Sequence, residues 1–156
     1  MTTNLADLML AALLGGMLFF AVVVAPTVFQ ALPAKQAGVF LRRLFPRYYL
    51  YMIVTSGVAA ALLWPNSHWP AKAMVLIAVS TLAIRQNLLP RLNRWRDEEL
   101  GGKATSGKRF ARWHRASVLI NLAQLLTLLA VVWQRTYTAH RRHAGRRGTD
   151  DMQETA

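Results

Sequence analysis

The chain has 156 residues, 54 % of them hydrophobic and only 17 % charged, with a formal net charge of +12 and no cysteine. A soluble domain usually carries about a quarter charged residues, so the composition excludes an ordinary soluble fold, and the length allows one domain. The missing cysteines exclude disulfides, thiolate metal sites and cysteine nucleophiles. The basic excess would suggest nucleic acid in a soluble protein. Here the basic residues flank long apolar blocks, which is how membrane proteins set their topology, so the bilayer and not nucleic acid is the expected partner.

Taken in order, the chain reads as an all-α, four-transmembrane-helix bundle. Leu8 to Phe29 runs 22 residues without a charge, enough to cross a hydrocarbon core of about 30 Å. The first span is placed at 5–28. No Lys or Arg precedes Lys35, so this segment lacks the basic start of a signal peptide and reads as an uncleaved helix. Gly15 and Gly16 are candidate helix-packing residues, since small side chains let helix backbones approach in lipid. From Ala34 to Phe45 basic and apolar residues alternate with helical spacing, with Phe40, Leu41, Leu44 and Phe45 on one face. That pattern predicts a short interfacial amphipathic helix between spans one and two. Pro46 suits the first turn of the next helix, and the second span is placed at 47–64 with Tyr48, Tyr49 and Tyr51 as an interfacial belt.

The third span, 71–89, is the weakest, because Arg85, Gln86 and Asn87 interrupt it. Pro90 is expected to kink it, and Arg91 to Leu100 continues as a charged helix stopped at Gly101-Gly102. Ser106 is a candidate N-cap for the last helix. Ala116 to Trp133 carries no charge over 18 residues, and the fourth span is placed at 115–135. The membrane domain is therefore 1–138, and the tail 139–156, basic and then acidic, is expected to be disordered. Twelve lysines and arginines fall in the loops after spans one and three, and six on the opposite side. That imbalance predicts an inner-membrane protein with both long loops cytoplasmic and both termini outside.

Few polar groups remain at membrane depth. His114, Ser117, Asn121 and Gln124 share one face of the last helix, being three, four and three residues apart. If the last two helices form a hairpin centred near residue 103, Arg85 is level with about residue 121. Arg85, Ser117 and Asn121 are thus the candidate intramembrane polar cluster, weighed against simple interhelical hydrogen bonding. Asp7 and Lys72, at the outer ends of their helices, are expected to pair as an interfacial salt bridge. None of the four histidines, His68, His114, His140 and His143, lies mid-span as a haem ligand would. Met9, Met17, Met52 and Met74 could serve soft copper but read as core. No catalytic, cofactor-binding or metal-ligating set stands out, so no cofactor and no enzymatic activity are expected.

Gly15-Gly16 with Phe19-Phe20 and Ala25-Pro26, Arg47-Tyr48-Tyr49, Leu89-Pro90, and His114-Arg115-Ala116-Ser117 followed by Asn121 together resemble the bacterial relatives of the eukaryotic transmembrane protein 205. The resemblance covers roughly residues 5 to 135. It implies a four-helix integral membrane protein of a family without a settled biochemical role. The expected function is structural or accessory. The alternatives are a small-solute or copper-type permease component working as a homo-oligomer, and a membrane haem or redox protein.

Overall fold

The computed structural model describes the backbone of residues 2–154 and the side chains of 4–103 and 105–138. Every regular element among them is helical. The first rod comprises α1 (Thr2–Phe19), a π-helical turn (Phe20–Val24) and α2 (Ala25–Ala31). The second is α3 (Ala34–Leu63). The third joins α4 (His68–Ala83), a second π turn (Ile84–Leu88) and α5 (Leu89–Leu100). The fourth is α6 (Ala104–Glu154). The side chains of the tail predicted to be disordered, 139–156, lie outside the described residues.

Each π turn ends two residues before a proline. Pro26 and Pro90 each occupy the second position of the helix that follows. A proline has no N–H to give and its ring crowds the carbonyl four residues back. Those carbonyls belong to Val22 and Gln86, and each lies inside the wider π turn. The rods therefore continue past residues that would otherwise end them. Where a kink is expected at Pro90, the structure has a π turn just ahead of it.

Pro46 behaves differently and corrects the predicted boundary between the interfacial helix and span two. α3 runs unbroken through it, so the amphipathic segment 34–45 is the first part of one 30-residue helix. An internal proline costs a helix about 3 kcal/mol. Packing on both sides of Pro46 offsets that cost. Phe20 stacks on Tyr48 at 4.2 Å, and Phe45 stacks on Tyr49 at 5.6 Å. The Arg85 guanidinium, from the third rod, donates to the Pro46 carbonyl at 3.3 Å.

Short turns join the rods, so they alternate in direction. α3 packs against α1 and α4, and α6 packs against α1, α4 and α5. Leu10, Leu13, Met17, Met52, Leu63, Met74, Ile77, Leu128 and Val131 form the main core along the shared axis. A smaller cluster of Val28, Ala37 and Leu41 seals the turn between α2 and α3. The outward faces are also apolar. Phe19, Val22, Leu76, Leu119 and Trp133 are each at least 60 % exposed. Three helices are long and apolar enough to cross a membrane, within Asn4–Ala31, His68–Leu100 and Thr105–Thr138. α3 is more polar, since Tyr48, Tyr49, Tyr51, Thr55 and Ser56 interrupt its apolar half. Its inner face carries Tyr49, Met52, Ser56, Ala59, Ala60 and Leu63, all buried.

Candidate functional site

The interior polar groups gather where α4 and its π turn face α6. The Gln124 amide nitrogen donates to the Ser80 hydroxyl at 2.8 Å and to the Thr81 hydroxyl at 3.1 Å. Ser80 passes its own proton to the Leu76 carbonyl at 2.6 Å. Thr81 is fully buried and Gln124 is 5 % exposed. On the same face of α6 the Ser117 hydroxyl donates to the His114 carbonyl at 2.7 Å, and the Asn121 amide to the Ser117 carbonyl at 3.1 Å. The amide oxygens of Asn121 and Gln124 are buried and accept nothing within the described residues.

The predicted trio makes no direct contact of its own side chains. Ser117 and Asn121 are joined through the α6 backbone, and both Asn121 and Arg85 reach α3, at the Tyr49 hydroxyl and the Pro46 carbonyl. Arg85 lies in the π turn, where 3.6-residue periodicity does not hold. The contact that spans α4 and α6 is instead Gln124 with Ser80 and Thr81, a pair that sequence reasoning passed over. Its signal was available: two adjacent hydroxyls in an apolar helix, level with the polar stripe of α6. The Ser117 hydroxyl meets a backbone carbonyl and not an imidazole. Such an arrangement can bind and orient, and it offers no nucleophile–base pair.

Gly15 and Gly16 also separate. A Cβ on Gly16 would lie 2.5 Å from the Tyr51 ring, whereas one on Gly15 would meet nothing within 4 Å. The Tyr51 hydroxyl donates to the Ala12 carbonyl across α1. Gly16 therefore makes room for a ring that ties α3 to α1, and Gly15 faces outward.

The two ends of the rods differ in charge. At the end holding the chain's start, Asp7 pairs with Arg135 at 2.6 Å. This corrects the expected Asp7–Lys72 pair. The reason is that α6 returns beside α1 and presents Arg135 at the same level. At the other end Arg42 of α3 grips Asp97 of α5 with two bonds, 2.8 and 3.1 Å. That guanidinium holds the Asp97 carboxyl below the usual carboxylate range. Glu98 is lowered too, first by the Ser106 hydroxyl and then by Arg94. Ser106 donates to Glu98 at 2.7 Å and lies inside α6, which corrects its predicted role as N-cap. Arg96 pairs with Glu99 at 2.6 Å and covers the Phe110 ring at 5.4 Å. Trp95 stacks on Trp113 at 6.4 Å, so α5 and α6 are fastened by aromatic as well as ionic contacts. An open groove of ≈ 300 Å³ runs between the third rod and α6, from Ser80 past Asn87 to Arg91 and Trp113.

Residues 8–101 match the family model described as Domain of unknown function (DUF4149). A protein of Aquifex aeolicus (strain VF5), titled "Uncharacterized protein", is 32 % identical over 132 residues, which is 85 % of this chain and 95 % of that one. No solved structure matches the chain. The matched region runs from within α1 to the end of α5 and takes in Pro26, Pro90 and both π turns, and the chain belongs to this family of unknown function.

Proposed function

We propose that the protein is an integral protein of the inner membrane that crosses the bilayer four times and acts as a structural or accessory component without enzymatic activity. One observation carries this reading: the rods expose large apolar side chains along their length and keep their ion pairs at the two ends, three at one and one at the other. Lipid is the natural cover for such a surface. α3 is the fourth crossing on this reading. It runs between the same two ends as its neighbours, packs against α1 and α4, and keeps Tyr49 and Ser56 buried on its inner face. The richer basic end, with Lys35, Arg42, Arg43 and Arg91 to Arg115, faces the cytoplasm, and both termini lie outside. The resemblance to the bacterial relatives of transmembrane protein 205 supports the same architecture.

The missing cysteines make the test clean. Single cysteines at Gln36, in the first turn of α3, and Asn66, in the turn just after it, are probed in intact cells with an impermeant maleimide. Labelling at Asn66 and protection at Gln36 are expected. Equal labelling at both would remove α3 as a crossing. Retention of the protein in membranes after an alkaline carbonate wash is expected, and release would sink the membrane reading as a whole.

A second reading, a permease component working as a homo-oligomer, is favoured by the two unpartnered amide oxygens of Asn121 and Gln124. Cross-linking in native membranes tests it. A monomer alone would argue against it, because four rods packed on a closed core leave little room for a path of their own.

A further inference from the structure

We propose that the groove between the third rod and α6 is a binding site for one anionic phospholipid of the cytoplasmic leaflet, seated with its phosphate on Arg91 and an acyl chain along Ile84, Leu88 and Ile120. The inference rests on the membrane reading above. The groove's walls are apolar and its rim is not. Arg91 is exposed at the charged end. The three acids of that end are engaged by Arg42, Arg94 and Arg96, and among the described residues Arg91 has no ionic partner. One turn deeper, about 6 Å by helix rise, Asn87 is exposed toward the bilayer. Its amide donates to the Ala83 carbonyl at 3.2 Å, and its position suits the ester region of a lipid whose phosphate is at Arg91. Trp113, 45 % exposed and stacked on Trp95, closes the other wall at headgroup level.

The π turn Ile84–Leu88 forms the groove's floor. It widens the helix and sets Arg91 and Asn87 on the groove side while Arg85 points away to α3. Basic pockets between membrane helices on the cytoplasmic side suit anionic headgroups. A zwitterionic lipid would bring the same phosphate with a cationic group beside it, so its attraction to Arg91 is weaker.

The test uses the full chain in vesicles of phosphatidylcholine containing a minor fraction of lipid brominated in its acyl chains. Trp113 emission is taken as the difference between the full chain and its Trp113→Phe variant. Brominated phosphatidylglycerol is expected to quench that emission about fivefold more effectively than brominated phosphatidylcholine, which corresponds to about 1 kcal/mol for one basic side chain. Arg91→Gln should bring the ratio to about one. Lys35→Gln, at the same charged end but outside the groove, should leave it unchanged. Ile120→Phe, which narrows the groove without altering charge or adding a tryptophan, should also bring the ratio toward one. Equal quenching by the two lipids, or equal loss in the Lys35 variant, would overturn the site while leaving the membrane reading intact. Absence of quenching by either lipid at any tryptophan would overturn both.

Discussion

Gly15 and Gly16 are neighbours in the chain and opposites in environment. At Gly16 a methyl group would collide with the Tyr51 ring, whose hydroxyl is held by Ala12. Relieving that clash means giving up the hydrogen bond. Gly16→Ala is expected to destabilise the protein by about 1–3 kcal/mol, the range for overpacking, and Gly15→Ala to change little. Thermal unfolding of the two variants in detergent measures the difference, and equal midpoints would show that Tyr51 moves freely. Gln124 offers a second test. Gln124→Leu removes both bonds to α4, at a cost of about 1 kcal/mol for an interhelical contact in lipid. Ser80 keeps its bond to Leu76, so the loss should not reach the several kcal/mol of a stranded charge. A Gln124→Leu variant as stable as the parent would mean that the interior polar groups contribute nothing to folding.

Between elements, the clearest electrostatic link is Arg42 of α3 with Asp97 of α5, supported by Glu98 with Ser106 and Arg94. Both carboxyls are lowered in the folded protein. A carboxyl with a depressed folded pKa contributes stability that is present above its unfolded pKa and is lost as pH falls through the folded one. The charged end should therefore loosen only on acidification below the ordinary carboxylate range, and neutral to alkaline changes should leave it alone. Unfolding midpoints followed across acidic pH should fall less steeply for Asp97→Asn combined with Glu98→Gln than for the parent. Parallel curves would show that the two acids do not stabilise the junction. The same scale explains the fate of the prolines. Pro26 and Pro90 are taken up by π turns, whereas Pro46 is carried through α3 by the rings of Phe20, Phe45, Tyr48 and Tyr49 around it.

For the molecule as a whole, the Asp7–Arg135 pair fixes the start of α1 and Arg135 of α6 at one level. On the proposed membrane reading, these two points lie on the same side. A fusion after Thr138 is expected to give active alkaline phosphatase and a dark green fluorescent protein, and the reverse result would invert the proposed orientation. Much of this arrangement could be read from residues alone. Uncharged runs such as Leu8 to Phe29 and Ala116 to Trp133 mark the rods, the basic clusters mark one end, and Gly101-Gly102 marks the last turn, where Gly102 adopts a left-handed φ of 94°. Hairpin arithmetic placed Arg85 level with Asn121, and the neighbouring contact of Thr81 with Gln124 follows nearly that register.

Apolar length and charge distribution are properties of short stretches, and so the sequence by itself determined the helical class, the first, third and fourth rods and the charged ends. Which way a side chain turns depends on helix rotation and on neighbours far away in the chain. Only the tertiary structure decided that Arg85 serves Pro46, that Asp7 meets Arg135, that Gly16 and not Gly15 receives a ring, and that residues 34–63 form a single helix. Each of these outcomes turns on contacts between rods, where a π turn or an aromatic stack shifts the facing by a fraction of a turn that no local pattern records.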